Sequence, residues 1–171
     1  MYNYLYSRPL WLIIVIMAAG IFLWAYLAAR RPKHWKEWNA AAFLASLYVI
    51  FLITLLSRAE TSREVYLMPL HVLQAAKEQP ELYREMLMNV FLFVPLGLTL
   101  PNALPDRRKR TSRGLIAVLS ALVLSAIIEW LQYRYALGTT ETDDVLCNTL
   151  GALLGASHLF WADILRHRRN T

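Results

Sequence analysis

The sequence predicts an all-α, polytopic membrane bundle of about five transmembrane helices, with an extracytoplasmic interfacial segment between helices 2 and 3. The first observation is composition, because 57% of the 171 residues are hydrophobic and only 18% are charged, a balance typical of membrane proteins. The second is that the apolar residues form charge-free stretches, most of them near the roughly 20 residues that a helix needs to cross a bilayer core. These stretches are residues 9–29, 39–57, 86–105, 114–128 and 145–162. We expect one membrane domain over residues 1–171.

The first apolar stretch has two interpretations, a secretory signal peptide or a retained transmembrane helix. Its apolar run is longer than the roughly 7–15 residues of a signal peptide. Only Arg8 precedes the run, and Arg30 and Arg31 follow it directly. We therefore expect a retained helix.

The basic residues predict the orientation of the helices, since Lys and Arg are retained on the cytoplasmic side. Twelve of the 18 Lys and Arg residues lie in the segments 30–38, 106–113 and 166–171. The N-terminus is therefore expected outside and the C-terminus in the cytoplasm. This topology, with contact to anionic head groups, accounts for the net charge of +6 without a nucleic-acid partner.

Two segments differ from plain membrane anchors. The third stretch contains Pro95, Gly97 and Pro101, which predict a kinked helix. The loop 58–85 is apolar in its first half and is interrupted by Pro69. We expect it to form an interfacial or partly re-entrant segment over the outer mouth of the bundle, and a solvated loop with one amphipathic helix is the alternative.

Polar residues mark the outer ends of three predicted helices. Glu129 and Gln132 share one face of helix 4, and Asp144 and Asn148 share one face of helix 5, because residues three or four apart are neighbours on a helix. Asn89 lies in the first turns of helix 3. We expect these side chains to converge at one depth in a ligand-binding cleft. Its expected residues are Asn89, Glu129, Gln132, Asp143, Asp144 and Asn148.

Most of these residues also have a purely structural interpretation. Asp143 and Asp144 stand where N-capping and the helix dipole favour carboxylates. Asn89 and Asn148 are suited to hydrogen bonds between helices. Glu129 is the exception, since an ionisable residue inside an apolar span is costly and indicates function.

The remaining candidates are an opposing cation, a metal site, and the residues Cys147 and His158. An opposing cation stabilises the charged form of a buried carboxyl group. We expect this cation to come from Arg134, Arg84 or His71. No metal site is expected, because no HExxH or Cys/His spacing occurs. Cys147 is the single cysteine and cannot form an intrachain disulfide. His158 is interpreted as a polar residue satisfied between helices.

Glycines in the third and fifth stretches favour a structural role. Gly151 and Gly155 form a small-xxx-small pattern, which usually marks a close contact between helices. The residues interpreted as structural are Pro69, Pro95, Gly97, Gly151 and Gly155.

Four segments resemble the VanZ-like family of bacterial membrane proteins. They are MNVFLFVPLGLTLP at 88–101, IIEWLQ at 127–132, ETDDVLCNTLGALLG at 141–155 and YLMPLHVL at 66–73, the last similar to a Leu-x-Pro-Phe segment of the family. The resemblance covers residues 40–160. The positions that it marks are Pro69, Asn89, Pro95, Gly97, Glu129, Gln132, Asp144, Asn148 and Gly151.

The chain departs from the family pattern near its acidic run. Members often have a basic residue shortly before the run, where Gly138 and Thr139 stand here, and Glu141 begins the run. Leu70 stands where an aromatic residue is common. If the family's basic residue pairs with an acid, Arg134 is the residue expected to do so in this chain.

The resemblance implies a multi-pass protein of the bacterial plasma membrane. The family takes its name from a member associated with resistance to glycopeptide antibiotics, specifically the lipid-tailed teicoplanin. We therefore expect the polar cleft to bind an amphiphilic envelope component or a lipid-tailed glycopeptide. The expected partners are membrane lipids or such a lipid-tailed ligand. No cofactor, metal or nucleic acid is expected, and the sequence does not determine the oligomeric state.

The alternative function is a membrane-embedded enzyme acting on a lipid-linked or cell-wall substrate. Glu129 and Asp144 are the catalytic candidates, because two carboxylates in different environments can divide acid and base roles. Binding without catalysis is favoured, since the sequence contains no clear nucleophile or cofactor motif. A transport subunit is favoured least, because inverted repeats are not evident.

Overall fold

The computed structural model describes residues 10–60, 64–77, 79 and 81–170, most of which are helical. The elements in chain order are α1 (Leu10–Arg30), α2 (Trp35–Phe51), β1 (Glu64–Tyr66), α3 (His71–Ala75), α4 (Glu81–Ala103), α5 (Arg110–Tyr135), β2 (Thr139–Glu141), α6 (Thr142–Ala156) and α7 (His158–Asn170). A π-helix, Leu52–Leu56, continues α2. Arg8 and the start of the first apolar stretch at residue 9 lie outside the described residues.

Five helical segments among the described residues are long and apolar enough to cross a membrane. They are Leu10–Arg30, Trp35–Leu56, Glu81–Ala103, Arg110–Tyr135 and Thr142–Arg168, the last formed by α6 and α7 together. The predicted all-α bundle with five membrane-spanning helices is confirmed, and the chain is a multi-pass membrane protein.

The observed helices extend beyond the charge-free stretches of the sequence. α4 begins at Glu81 and α5 at Arg110, because long charged side chains at a helix end can reach the head-group region while the backbone stays helical. α4 is one continuous helix through Pro95 and Pro101. The kink expected from these prolines stays a prediction.

α4 and α6 form the most extensive contact between helices in the described part of the chain. Gly151 lies against the backbone of Val90, and Gly155 lies against the backbone of Val94. Gly97 on α4 packs in the same way against α6. A Cβ atom at any of the three glycines would overlap with main-chain atoms of the facing helix. The backbones therefore approach each other as closely as glycine allows, which is typical of small-residue contacts in membranes.

β1 and β2 form a parallel pair that joins the loop after α2 to the loop after α5. The pairs are Glu64 with Thr139, Val65 with Thr140 and Tyr66 with Glu141. Residues 139–141, between the fourth and fifth spans, therefore form a strand that the sequence did not predict. A strand of three residues is shorter than the roughly 4–8 residues over which alternation can be recognised in a sequence. We call the end of the bundle that carries β1 and β2 the strand end.

At the opposite end, Asp106 joins the loop after α1 to the loop after α4. Lys36 Nζ lies 2.9 Å from the carboxylate, Arg113 Nη1 lies 3.2 Å from it, and Arg31 Nη2 lies 3.3 Å from it. The hydrogen bond from Lys36, with the charges of Arg31 and Arg113, holds the pKa of Asp106 below its ordinary value. We call this end the basic end, and it comprises residues 31–36 and 104–113.

The C-terminal segment also belongs to the basic end. α7 continues beyond the fifth apolar stretch to Asn170. Arg166 donates to the carbonyl oxygens of Ala28 and Ala29, which lie in the last turn of α1 and have no partner within the helix. The guanidinium therefore caps the C-terminal end of α1 and joins α7 to it.

The glycine contact gives a prediction about stability. The Gly151→Ala substitution should lower the free energy of unfolding by about 1–3 kcal/mol, since α4 and α6 must separate to accommodate the new methyl group. Thermal unfolding of the purified protein in one detergent, followed by circular dichroism, measures the change.

Gly20→Ala is the matched control, because no atom lies within 4 Å of a Cβ built at Gly20. This substitution should leave stability unchanged or raise it by up to about 1 kcal/mol, owing to the better helix propensity of alanine. Equal stability of the two variants would contradict the packing argument.

Candidate functional site

The expected polar residues of the strand end come from α4, α5 and α6. Glu129 lies about 9 Å from the last residue of α5, given the rise of a helix, and is only 6% exposed. Gln132, Asp143 and Asn148 are also buried, whereas Asp144 and Asn89 are partly buried. The structure therefore brings the expected residues to one end of the bundle, but it gives them different partners.

Glu129 is tied to β2. Its Oε2 atom accepts a hydrogen bond from the backbone N–H of Glu141 at 2.9 Å. Thr140 Oγ1 lies 3.4 Å from the Glu129 carbonyl oxygen. The carboxylate therefore has a donor inside the bundle and also fixes the loop that connects α5 to α6.

Asp144 connects α6 to α4. Asn89 Nδ2 donates to Asp144 Oδ1 at 2.5 Å. Glu129 and Asp144 are close enough to interact electrostatically, and Glu141 adds a third negative charge nearby. Two carboxylates from neighbouring helices therefore share one charged site.

Arg58, which directly follows the second apolar stretch, is an exposed cation near this site. It interacts electrostatically with both Glu129 and Asp144. Its Nη1 atom donates to the carbonyl oxygen of Leu137 at 3.4 Å and lies only 2.9 Å from a Cβ built at Gly138. Gly138 also has φ = 125°, a conformation that favours glycine.

We expected the cation to come from Arg134, Arg84 or His71. Arg58 was not among these candidates. The available signal was its position at the outer end of the second span, at the same predicted depth as Glu129. His71 instead stacks on Tyr66, with ring centroids 4.9 Å apart.

Gln132 and Asn148 connect helices by their amide nitrogens. Gln132 Nε2 donates at 2.9 Å to the carbonyl oxygen of Thr54, which lies in the π-helix. Asn148 Nδ2 donates to Ser125 Oγ at 2.8 Å. The sequence did not indicate Ser125 or Thr54 as the partners of Asn148 and Gln132, because each partner lies on a helix distant in sequence.

The amide oxygens of Gln132 and Asn148 are buried without a hydrogen-bond partner. A buried acceptor without a donor costs about 1–3 kcal/mol, and such groups in native structures commonly bind water or a ligand. The π-helix beside Gln132 is a further feature that is frequent at functional sites. The arrangement can therefore accept hydrogen bonds from a donor that enters the strand end.

Asp143 has a different role from the one expected. Its two oxygens accept the backbone N–H groups of Leu70 at 2.5 Å and Val72 at 2.7 Å. It therefore caps α3, whereas the sequence analysis expected it to line the cleft or cap its own helix. α6 has no side-chain cap hydrogen bond at Glu141. Thr142 Oγ1 adds a bond to the Leu67 carbonyl oxygen at 3.2 Å.

The Asp143 contact predicts the mobility of residues 67–72. The Asp143→Asn substitution replaces one accepting oxygen by an NH₂ group, so one backbone N–H loses its partner. Hydrogen exchange at Leu70 and Val72 should accelerate roughly tenfold or more, since a hydrogen bond to a charged group contributes about 1.5–3 kcal/mol. Exchange followed by mass spectrometry measures this.

Asp144→Asn is the matched control, because Asp144 bonds to Asn89 and makes no hydrogen bond to residues 67–72 in the described contacts. Exchange in that segment should stay as in the unchanged protein. Equal protection in both variants would show that Asp143 does not hold the segment.

Metal binding finds no support in the described part of the chain, where no group of three or more His, Cys, Asp or Glu residues is placed to hold an ion. His158 receives a hydrogen bond from Asn102 and lies 2.7 Å from the Gly155 carbonyl oxygen, so both its ring nitrogens have partners. The fold and the site together define a multi-pass membrane protein with a charged, partly buried polar site at one end of its bundle.

A sequence model of the VanZ/LLP1 family matches residues 10–164. The chain therefore belongs to the VanZ-like family, and the resemblance inferred from its motifs is confirmed. It is 37% identical over 73 residues to Protein VanZ of Enterococcus faecium. That match covers 43% of this chain and 42% of the relative, so it spans less than half of either protein. No solved structure matches the chain.

Proposed function

We propose that the strand end binds the head group of an amphiphilic envelope component, with a lipid-tailed glycopeptide of the teicoplanin type as the leading candidate. The observation that carries the proposal is the buried Glu129 of α5 near Asp144 of α6, at the end of the bundle where Asn89 also bonds to Asp144. Charged residues inside membrane bundles are costly and are by default functional.

The chemistry of the site suits a head group with both donors and acceptors. Glu129 and Asp144 attract ammonium groups and other donors, and Arg58 attracts carboxylates or phosphates. The unpaired amide oxygens of Gln132 and Asn148 accept further donors. A peptide-based amphiphile carries all of these groups.

The surroundings of the site suit the tail of an amphiphile. Leu67, Met68 and Leu70 are exposed apolar side chains of the segment that covers the strand end. Trp130 and Tyr133 are exposed on the same end of α5, and such residues favour the membrane interface. A tail can therefore remain in lipid while its head group contacts Glu129.

The orientation of the proposed site follows from the distribution of charge. Arg31 and Lys36 lie with Arg113 at the basic end, and basic residues are retained in the cytoplasm. We infer that the basic end faces the cytoplasm of a bacterial cell and that the strand end faces outwards. An external amphiphile then meets the site from the outer leaflet.

The glycopeptide proposal predicts selective protection of a susceptible Gram-positive host. Expression of the chain should raise the inhibitory concentration of teicoplanin and leave that of vancomycin unchanged, because vancomycin has no lipid tail. Glu129→Gln and Asp144→Asn should each abolish the protection, since loss of a charged contact weakens binding roughly tenfold or more. Broth dilution with both drugs measures this.

Glu60→Gln is the matched control, because Glu60 is an exposed carboxylate in the loop that follows the π-helix and lies outside the buried site. It should protect as well as the unchanged chain when membrane immunoblots show equal expression. Full protection by both carboxylate variants would remove the site from the explanation. Absence of protection by the unchanged chain would exclude a glycopeptide as the ligand.

An enzyme is the second candidate, favoured by the electrostatic interaction between Glu129 and Asp144. Neighbouring carboxylates can act as a base and an acid on a lipid-linked or cell-wall substrate. Purified protein incubated with envelope lipids should then yield a product detectable by mass spectrometry. Glu60→Gln should form the product and Glu129→Gln should not. A product made equally by both variants, or by neither the unchanged protein nor the variants, would contradict catalysis at this site.

A further inference from the structure

The basic end contains a cavity of about 240 Å³ between the ends of several helices. Its polar lining includes Arg31, Lys36, Asn102, Asp106 and Arg113, and Trp35 forms part of the wall. None of these residues belongs to the charged site at the strand end. We propose that this cavity binds a phosphate group, either in the head group of a membrane lipid or in a soluble phosphate compound.

Positive charge exceeds negative charge in this cavity. Arg31, Lys36 and Arg113 all lie within 3.3 Å of the single carboxylate of Asp106. Glu37 also lines the cavity, but its side chain is 71% exposed and therefore largely screened by solvent. One carboxylate cannot neutralise three cations, so an additional anion is favoured.

Arg113 supplies a donor that lacks a partner. It is only 3% exposed, and its Nε atom has no hydrogen-bond partner, although Nη1 bonds to Asp106. A buried donor without an acceptor is costly. The planar guanidinium matches the spacing of phosphate oxygens and can donate two parallel hydrogen bonds to them. A phosphate oxygen would complete the hydrogen bonding of Arg113.

The size and position of the cavity indicate which ligands fit. Its volume is below the roughly 300–1,000 Å³ of sites that enclose a drug-sized molecule, so it suits a head group or a small anion. The basic end lies at the membrane surface, where lipid phosphates are found. Asp106 and an incoming phosphate would compete for the same cations, so loss of the Asp106 charge should strengthen binding.

The test uses the purified full chain in a neutral detergent. The probes are dioctanoyl phosphatidic acid, dioctanoyl glycerol without phosphate, and inorganic phosphate compared with chloride at equal ionic strength. Apparent affinity is taken from the ligand-dependent rise of the unfolding temperature, because a ligand that binds the folded state stabilises it. Phosphatidic acid should stabilise the unchanged chain, and dioctanoyl glycerol should not.

Two double variants, each of which removes two positive charges, distinguish binding in the cavity from general attraction of anions to the basic end. Arg31→Gln with Lys36→Gln removes two cations that line the cavity but are half exposed, so folding should be retained. Arg107→Gln with Arg108→Gln removes two exposed cations outside the lining. The first pair should weaken phosphate affinity roughly tenfold or more, and the second should change it less than twofold. Asp106→Asn should increase affinity.

The outcomes decide both the site and the source of the phosphate. If only phosphatidic acid acts and the lining variant abolishes the effect, the site binds a lipid head group. If inorganic phosphate acts alone with the same dependence on the variants, the site binds a soluble phosphate compound. Equal losses in the two double variants would mean general charge attraction and would overturn the proposal, as would the absence of any stabilisation by either phosphate.

Discussion

Lipid supplies little hydrophobic driving force between helices, so α4 and α6 associate by packing one backbone directly on the other. Gly97, Gly151 and Gly155 make this approach possible. The contact determines both ends of the bundle. At the strand end it brings Asn89 to Asp144, and near the basic end Asn102 of α4 bonds to His158, the first residue of α7. A wider separation of α4 and α6 would break the contact between Asn89 and Asp144.

The charged site is compatible with a membrane bundle because its groups satisfy one another. Glu129 accepts a hydrogen bond from the Glu141 N–H, Asp144 accepts one from Asn89, and the exposed Arg58 lies near enough to interact electrostatically with both. Gly138 allows Arg58 to lie against the turn after α5. The amide oxygens of Gln132 and Asn148 remain buried without a hydrogen-bond partner, and so does His71 Nδ1. The site therefore combines hydrogen-bonded carboxyl groups with free acceptors, which suits the polar head group proposed as its ligand.

The loops of the strand end form one structure rather than two separate connections. The β1–β2 pair joins them through backbone hydrogen bonds, and Asp143 joins α6 to the start of α3. The segment of residues 64–76 is consequently held over the helix ends by its backbone, while apolar side chains such as Leu67 and Met68 stay exposed. The segment therefore covers a polar site with its backbone and leaves apolar side chains exposed, as the predicted interfacial position would require.

The sequence by itself determined the five spans, since hydrophobicity and length are local properties, and the stripe of Gly151 and Gly155, since helical periodicity is local as well. It also carried the family motifs. Only the tertiary structure decided which hydrogen-bond partners the polar side chains have. Arg58 reaches a carbonyl oxygen 79 residues away, and Asp143 caps a helix 71 residues away. Such contacts depend on how whole helices pack, and no local pattern encodes which distant backbone group a carboxylate or guanidinium will meet. For the same reason, the sequence predicted a function for Glu129 but could not predict that Arg58 would be a cation near it.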